Sequence, residues 1–118
     1  MGGDILADNT YSLKTLQFIG GTTQFLTFTV NNPDGTPVDL NGATCSWKLQ
    51  KYGEFGDNAI LSKEEANITG INTFQIVLDT EDTEALYGKF IQQPIVIDSG
   101  GKKFIPAMGF IVIDKAIT

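Results

Sequence analysis

With 118 residues, the chain has the size of one domain, and its 42% hydrophobic content suffices to bury a core without disulfide or metal staples. A net charge of −6, with eight lysines as its only basic residues and no arginine, argues against nucleic acid and against anionic membrane surfaces as partners. The absence of histidine removes imidazole as a base or metal ligand. The single cysteine excludes an intrachain disulfide and a multi-thiolate zinc site.

Residues 1–12 (MGGDILADNTYS) are polar and aperiodic and read as a flexible arm, leaving 13–118 as one domain. The arm lacks the basic and apolar regions of a secretory signal, and no apolar run reaches bilayer-spanning length. A first strand is expected over 13–19, broken by Gly20-Gly21. Residues 23–31 then alternate, with Leu26, Phe28 and Val30 on one face and Phe25, Thr27 and Thr29 on the other. The stretch 31–37 (NNPDGTP) is a turn, since Pro33 presets φ and Gly35 takes a positive φ.

The stretch 42–50 (GATCSWKLQ) alternates most cleanly. Ala43, Cys45, Trp47 and Leu49 share one face, and Thr44, Ser46, Lys48 and Gln50 the other. A cysteine and a tryptophan on one strand evoke an immunoglobulin core, but neighbours at i and i+2 share a face and cannot bridge two sheets. Residues 51–59 form a loop that holds Tyr52 and Phe55 between glycines. A short strand is expected within 59–64 and a turn at Gly70. A strand over 73–79 then has Phe74, Ile76 and Leu78 inward.

Residues 80–88 (TEDTEALYG) are the one helical turn, capped by Asp79 or Thr80, acidic at its start and ended by Gly88. A strand over 89–98, a glycine hairpin and a strand over 103–114, with Ile111 and Ile113 inward, complete the chain. Pro94 and Pro106 fall inside these last strands, where a missing N–H demands an edge or a bulge; hairpin pairing would set them roughly opposite each other. About seven strands and one helical turn give an all-β antiparallel sandwich. Its expected core is Phe28, Cys45, Trp47, Leu49, Phe74, Ile76, Leu78, Ile111 and Ile113.

Chemistry-bearing motifs are sparse. The acidic cluster 79–84 lacks the ligand spacing of a calcium loop and fits an acidic first helical turn. Cys45 lies on an apolar strand face with no histidine to activate it. Asn67-Ile68-Thr69 matches a glycosylation sequon with no secretory signal to support its use. Tyr52 and Phe55 are the candidate contacts for a protein partner or a sugar; the alternative is that they fold back over the sandwich end. No catalytic residue, metal site or cofactor is expected.

Two longer segments carry a family resemblance: PVDLNGATCSWKLQKYG and NTFQIVLDTEDTEALYGKFIQQPIVIDSGGKKFIPAMGFIVID. The chain is similar, over about Leu16 to Ile113, to the N-terminal domain of the baseplate upper protein of tailed bacteriophages of Gram-positive hosts. The shared pattern is the Asp39-Leu40-Asn41-Gly42-Ala43 turn, then Leu86, Gly88 and Phe90, the Ser99-Gly100-Gly101 hairpin, and Gly109, Ile111 and Ile113. The resemblance implies an immunoglobulin-like sandwich with a non-enzymatic role in the virion. Such a protein is made in the bacterial host cytoplasm and docks on other virion proteins and on copies of itself. The final strand, as an open sheet edge, and the N-terminal arm are the expected assembly routes. The alternative is a carbohydrate-binding module for host cell-surface glycan, using Tyr52 and Phe55.

Overall fold

Strands form where apolar side chains recur every second residue, and they end where glycine, asparagine or aspartate supplies a turn. In the computed structural model, which describes residues 15–54, 56–106 and 109–117, this gives nine strands and one helical turn. In chain order these are β1 (Thr15–Ile19), β2 (Gln24–Thr29), β3 (Thr44–Lys51), β4 (Ala59–Lys63), β5 (Asn67–Ile68) and β6 (Thr73–Leu78). The helical turn α1 (Thr80–Thr83) follows, then β7 (Gly88–Ile97), β8 (Lys103–Phe104) and β9 (Gly109–Asp114). The expected arm and Phe55 lie outside the described residues.

The strands form two sheets of an all-β sandwich. Sheet A has the order β1-β9-β7-β3-β4, with β8 pairing β7; sheet B has the order β2-β6-β5. This is the immunoglobulin-like plan. β2, β6 and β5 hold the places of strands B, E and D, while β9, β7, β3 and β4 hold those of G, F, C and C′.

Three expectations are corrected. The sandwich is not wholly antiparallel, because β1 runs parallel to β9, from Thr15↔Phe110 to Ile19↔Asp114. No hairpin joins these strands, so the path of the chain, which leaves β1 for β2 in the opposite sheet, sets their direction. The expected strand 103–114 is two strands. β7 meets β8 at Val96↔Phe104 and β9 at Gln92↔Gly109, a shift of one residue, and Pro94 falls in the gap between them. Finally, β9 lies between β1 and β7, so the final strand has no open edge to offer a partner.

All nine expected core residues are buried, with Trp47, Leu49, Phe74, Leu78 and Ile111 at 0% exposure. Phe28 and Phe74 stack across β2 and β6 with ring centroids 5.2 Å apart. Trp47, on the strand C place, meets no cystine. Its indole Nε1 donates to the buried Gln92 side-chain oxygen on β7 at 2.9 Å, and Cys45 is free and buried. Each large side chain fully buried here contributes about 1.5–3 kcal/mol of transfer free energy. Leu26, Val30, Val38, Leu40, Phe90 and Val96 complete the cluster.

The turn α1 closes one corner. Asp79 is its N-cap residue, and the Asp82 carboxylate accepts the Asp79 backbone N–H at 2.8 Å and the Lys63 ammonium at 2.8 Å. Thr83 is fully buried, and its hydroxyl oxygen accepts the Gly21 N–H at 2.9 Å. Gly20 is required by a close approach: a Cβ there would sit 2.7 Å from the Thr83 carbonyl oxygen and 3.0 Å from that of Leu86.

Candidate functional site: the outer face of sheet A

Alternation fixes which side chains leave the core. On β7, Phe90, Gln92, Pro94 and Val96 point inward, so Lys89, Ile91, Gln93, Ile95 and Ile97 form the outer row. On β9, Ile111 and Ile113 point inward, which turns Phe110 and Val112 outward. On β3 the outer row is Ser46, Lys48 and Gln50, and Tyr52 follows just beyond the strand. The register sets Ile91 between Gln50 and Phe110, and Gln93 beside Lys48. An outer sheet face is ordinarily polar, but isoleucines, a phenylalanine, a valine and a tyrosine make the centre of this one apolar.

Tyr52 is 53% exposed and does not fold back over the sandwich end. It packs edge-on against Phe110, with ring centroids 5.5 Å apart at 71°. The Lys89 ammonium lies 4.5 Å from the Tyr52 ring centre and 4.4 Å from that of Phe110. This cation–π arrangement orients both rings, and Tyr52 stays more than half exposed.

Beside the aromatic pair, the connection from β3 to β4 is tied down over the sheet. Lys48 and Asp57 form an ion pair at 2.6 Å. The Gln50 amide nitrogen donates to the Glu54 carbonyl at 3.1 Å, and its oxygen accepts the Asn58 N–H at 3.2 Å. A groove of about 380 Å³ results, floored by Ile91, Gln93 and Ile95 and walled by Lys48, Asp57 and Lys103. The Lys48 hydrogen bond, and then its charge, hold the Asp57 carboxyl below the usual carboxylate range. The same hydrogen bond raises Lys48. Both groups are therefore fixed in their charged forms near neutrality, the opposite of an acid or base poised to exchange a proton.

The other motifs resolve as local structure. Within the acidic cluster, Asp82 is engaged by Lys63 and by the start of α1. No group of three or more Cys, Asp or Glu side chains among the described residues is arranged to hold a metal ion. Burial pushes the Cys45 thiol above its ordinary pKa, which disfavours the reactive thiolate.

Charge is divided between the two sheets. Lys14 lies outside the described residues, and the other seven lysines sit on sheet A strands or on the turns that join or follow them. The strands of sheet B read QFLTFT, NI and TFQIVL and carry no charged side chain. Sequence reasoning found Tyr52 but missed the outer rows of β7 and β9. The segment KFIQQPIVID is apolar in both alternating registers, so periodicity alone does not say which isoleucines face out. Neither the protein-family models nor the curated proteins compared with this chain give a match.

Proposed function

We propose that the chain is a non-enzymatic structural module of a bacteriophage virion, a baseplate or tail assembly or adaptor domain that acts through protein–protein contacts. The observation that carries the docking role is the outer face of sheet A, where Ile91, Ile95, Ile97, Phe110 and Tyr52 form an apolar centre. Lys89 and Lys103 lie around that centre, and Lys48 is paired there with Asp57. The matching partner surface has an apolar centre and an acidic rim. The virion context is supported by the motif resemblance at 39–43, 86–90, 99–101 and 109–113. Mass spectrometry of tail particles purified from the host that encodes the chain tests this context. Stoichiometric presence is expected, and absence from intact particles overturns it.

One observation favours a second reading. The groove over Ile91, Gln93 and Ile95 is lined by amide, carboxylate and ammonium groups, a mixture suited to sugar hydroxyls. On that reading, host cell-wall glycan binds in the groove, and Gln93→Ala abolishes the heat measured by calorimetric titration. No heat with any wall fraction removes the glycan reading and leaves the protein-docking one.

A further inference from the structure

Five strands have an open flank among the described residues: β1, β4 and β8 in sheet A, β2 and β5 in sheet B. β5 and β8 are each two residues long. β4 ends in Lys63, and its pairing with β3 is interrupted by a bulge between Leu49 and Gln50. Short length, lysine and bulges all keep an edge from recruiting another strand. β1 lies beside Asp114, whose carboxylate accepts the Gln17 side-chain amide at 2.8 Å, so two copies meeting there would bring like charges together.

β2 has none of these protections. It has six residues, no charge and no proline, and its register with β6 is unbroken from Gln24↔Leu78 to Thr29↔Thr73. Among the described residues nothing pairs with the outer flank of β2, and the core behind it shows this. Leu26 and Phe28, at 7% and 8%, are the most exposed of the buried apolar residues, and Phe25 on the outer face is 63% exposed.

We propose that β2 pairs antiparallel with β2 of a second copy of this chain, about a two-fold axis through Thr27. Charge argues for a second copy at this place. Molecules of net charge −6 repel over most of their surfaces, and the strands of sheet B present nothing to repel. Parity fits as well. Antiparallel pairing sets same-face residues opposite each other, and an axis through Thr27 places Leu26 against Phe28 of the second copy, inside, and Phe25 against its Thr29, outside. The two three-stranded sheets then join into one, and the flank of Leu26 and Phe28 is covered. A six-residue strand pair buries less than the roughly 1,200 Å² of a standard stable interface, so the dimer is weak in solution and forms at high concentration, as among copies held in one assembly. This edge is separate from the outer face of sheet A, and each surface is tested without the other.

Sedimentation equilibrium of the full chain over a wide concentration range is the test, with circular dichroism and a melting curve confirming that each variant folds. The wild type is expected to show a monomer–dimer equilibrium. Thr27→Lys and Thr27→Glu, at an exposed position, each set like charges about 5 Å apart across the axis and weaken the dimer about tenfold or more. An equimolar mixture of the two variants restores association as a heterodimer. A wild type that is monomeric at every concentration, a Thr27→Lys dimer of unchanged strength, or a mixture that does not associate would each overturn the proposal. So would a chain lacking residues 1–14 that dimerises where the full chain does not, because the flank would then be occupied by the chain's own N-terminal residues.

Discussion

Trp47 and Gln92 stand 45 residues apart in sequence and share one buried hydrogen bond, from the indole Nε1 to the amide Oε1 at 2.9 Å. The bond joins β3 to β7 within sheet A, unlike the cystine of an antibody-type domain, which ties one sheet to the other. Trp47→Phe keeps most of the ring but leaves the Gln92 oxygen without its donor, at a cost of about 2–4 kcal/mol. Gln92→Leu strands the indole N–H, at about 1–3 kcal/mol. The double variant orphans neither group, so its loss is expected to fall below the sum of the two. Denaturant unfolding of the four proteins measures the coupling, and strict additivity would show that the bond contributes nothing.

The Lys63–Asp82 pair gives stability a pH dependence. Burial works against the Asp82 charge, but the Lys63 hydrogen bond, the Asp79 backbone N–H and the Lys63 charge together hold its pKa below the ordinary 3.8. A carboxyl lowered in the folded state contributes fully above its unfolded value, and the contribution is lost as pH falls through the folded value. Asp82→Asn is therefore expected to cost about 1–2 kcal/mol at pH 7. The gap between wild type and variant closes below about pH 4. A gap that stays constant from pH 7 to pH 3 contradicts the assignment.

Gly20 marks where β1 turns against α1. A methyl group at this position meets the backbone carbonyls of Thr83 and Leu86, which cannot rotate away as a side chain would. Gly20→Ala is expected to destabilise by about 1–3 kcal/mol. Thermal melts of this variant beside Gly100→Ala, where the nearest atom to an added Cβ is 3.5 Å away, separate crowding from a general loss of glycine.

The fold was legible where alternation was one-sided. Thr44–Lys51 carries apolar residues in a single register, and Thr73–Leu78 does so except for Val77, which assigned Trp47, Leu49, Phe74 and Ile76 to the interior. Pairing over long sequence distance was not legible. Nothing local in Thr15–Ile19 says that it runs parallel to a strand more than ninety residues away, and this pairing also removes the final strand as an open edge. The inward position of Gln92 was equally hidden, because a lone glutamine reads as a surface residue until its partner Trp47 is placed beside it. Of the candidate site, the loop aromatic Tyr52 stood out in the sequence. Its partners Lys89 and Phe110 come from strands that only the folded sheet brings together.

The docking role of the sheet A face is tested most directly by zero-length amine–carboxyl cross-linking of intact tail particles, followed by peptide mapping. Lys89 and Lys103 are expected to link to acidic residues of a second virion protein, and Tyr52→Ala with Ile97→Lys is expected to abolish those links while the isolated domain's melting temperature changes little. Particles that contain the chain but show no links from these lysines, or links unaffected by the double substitution, would contradict it.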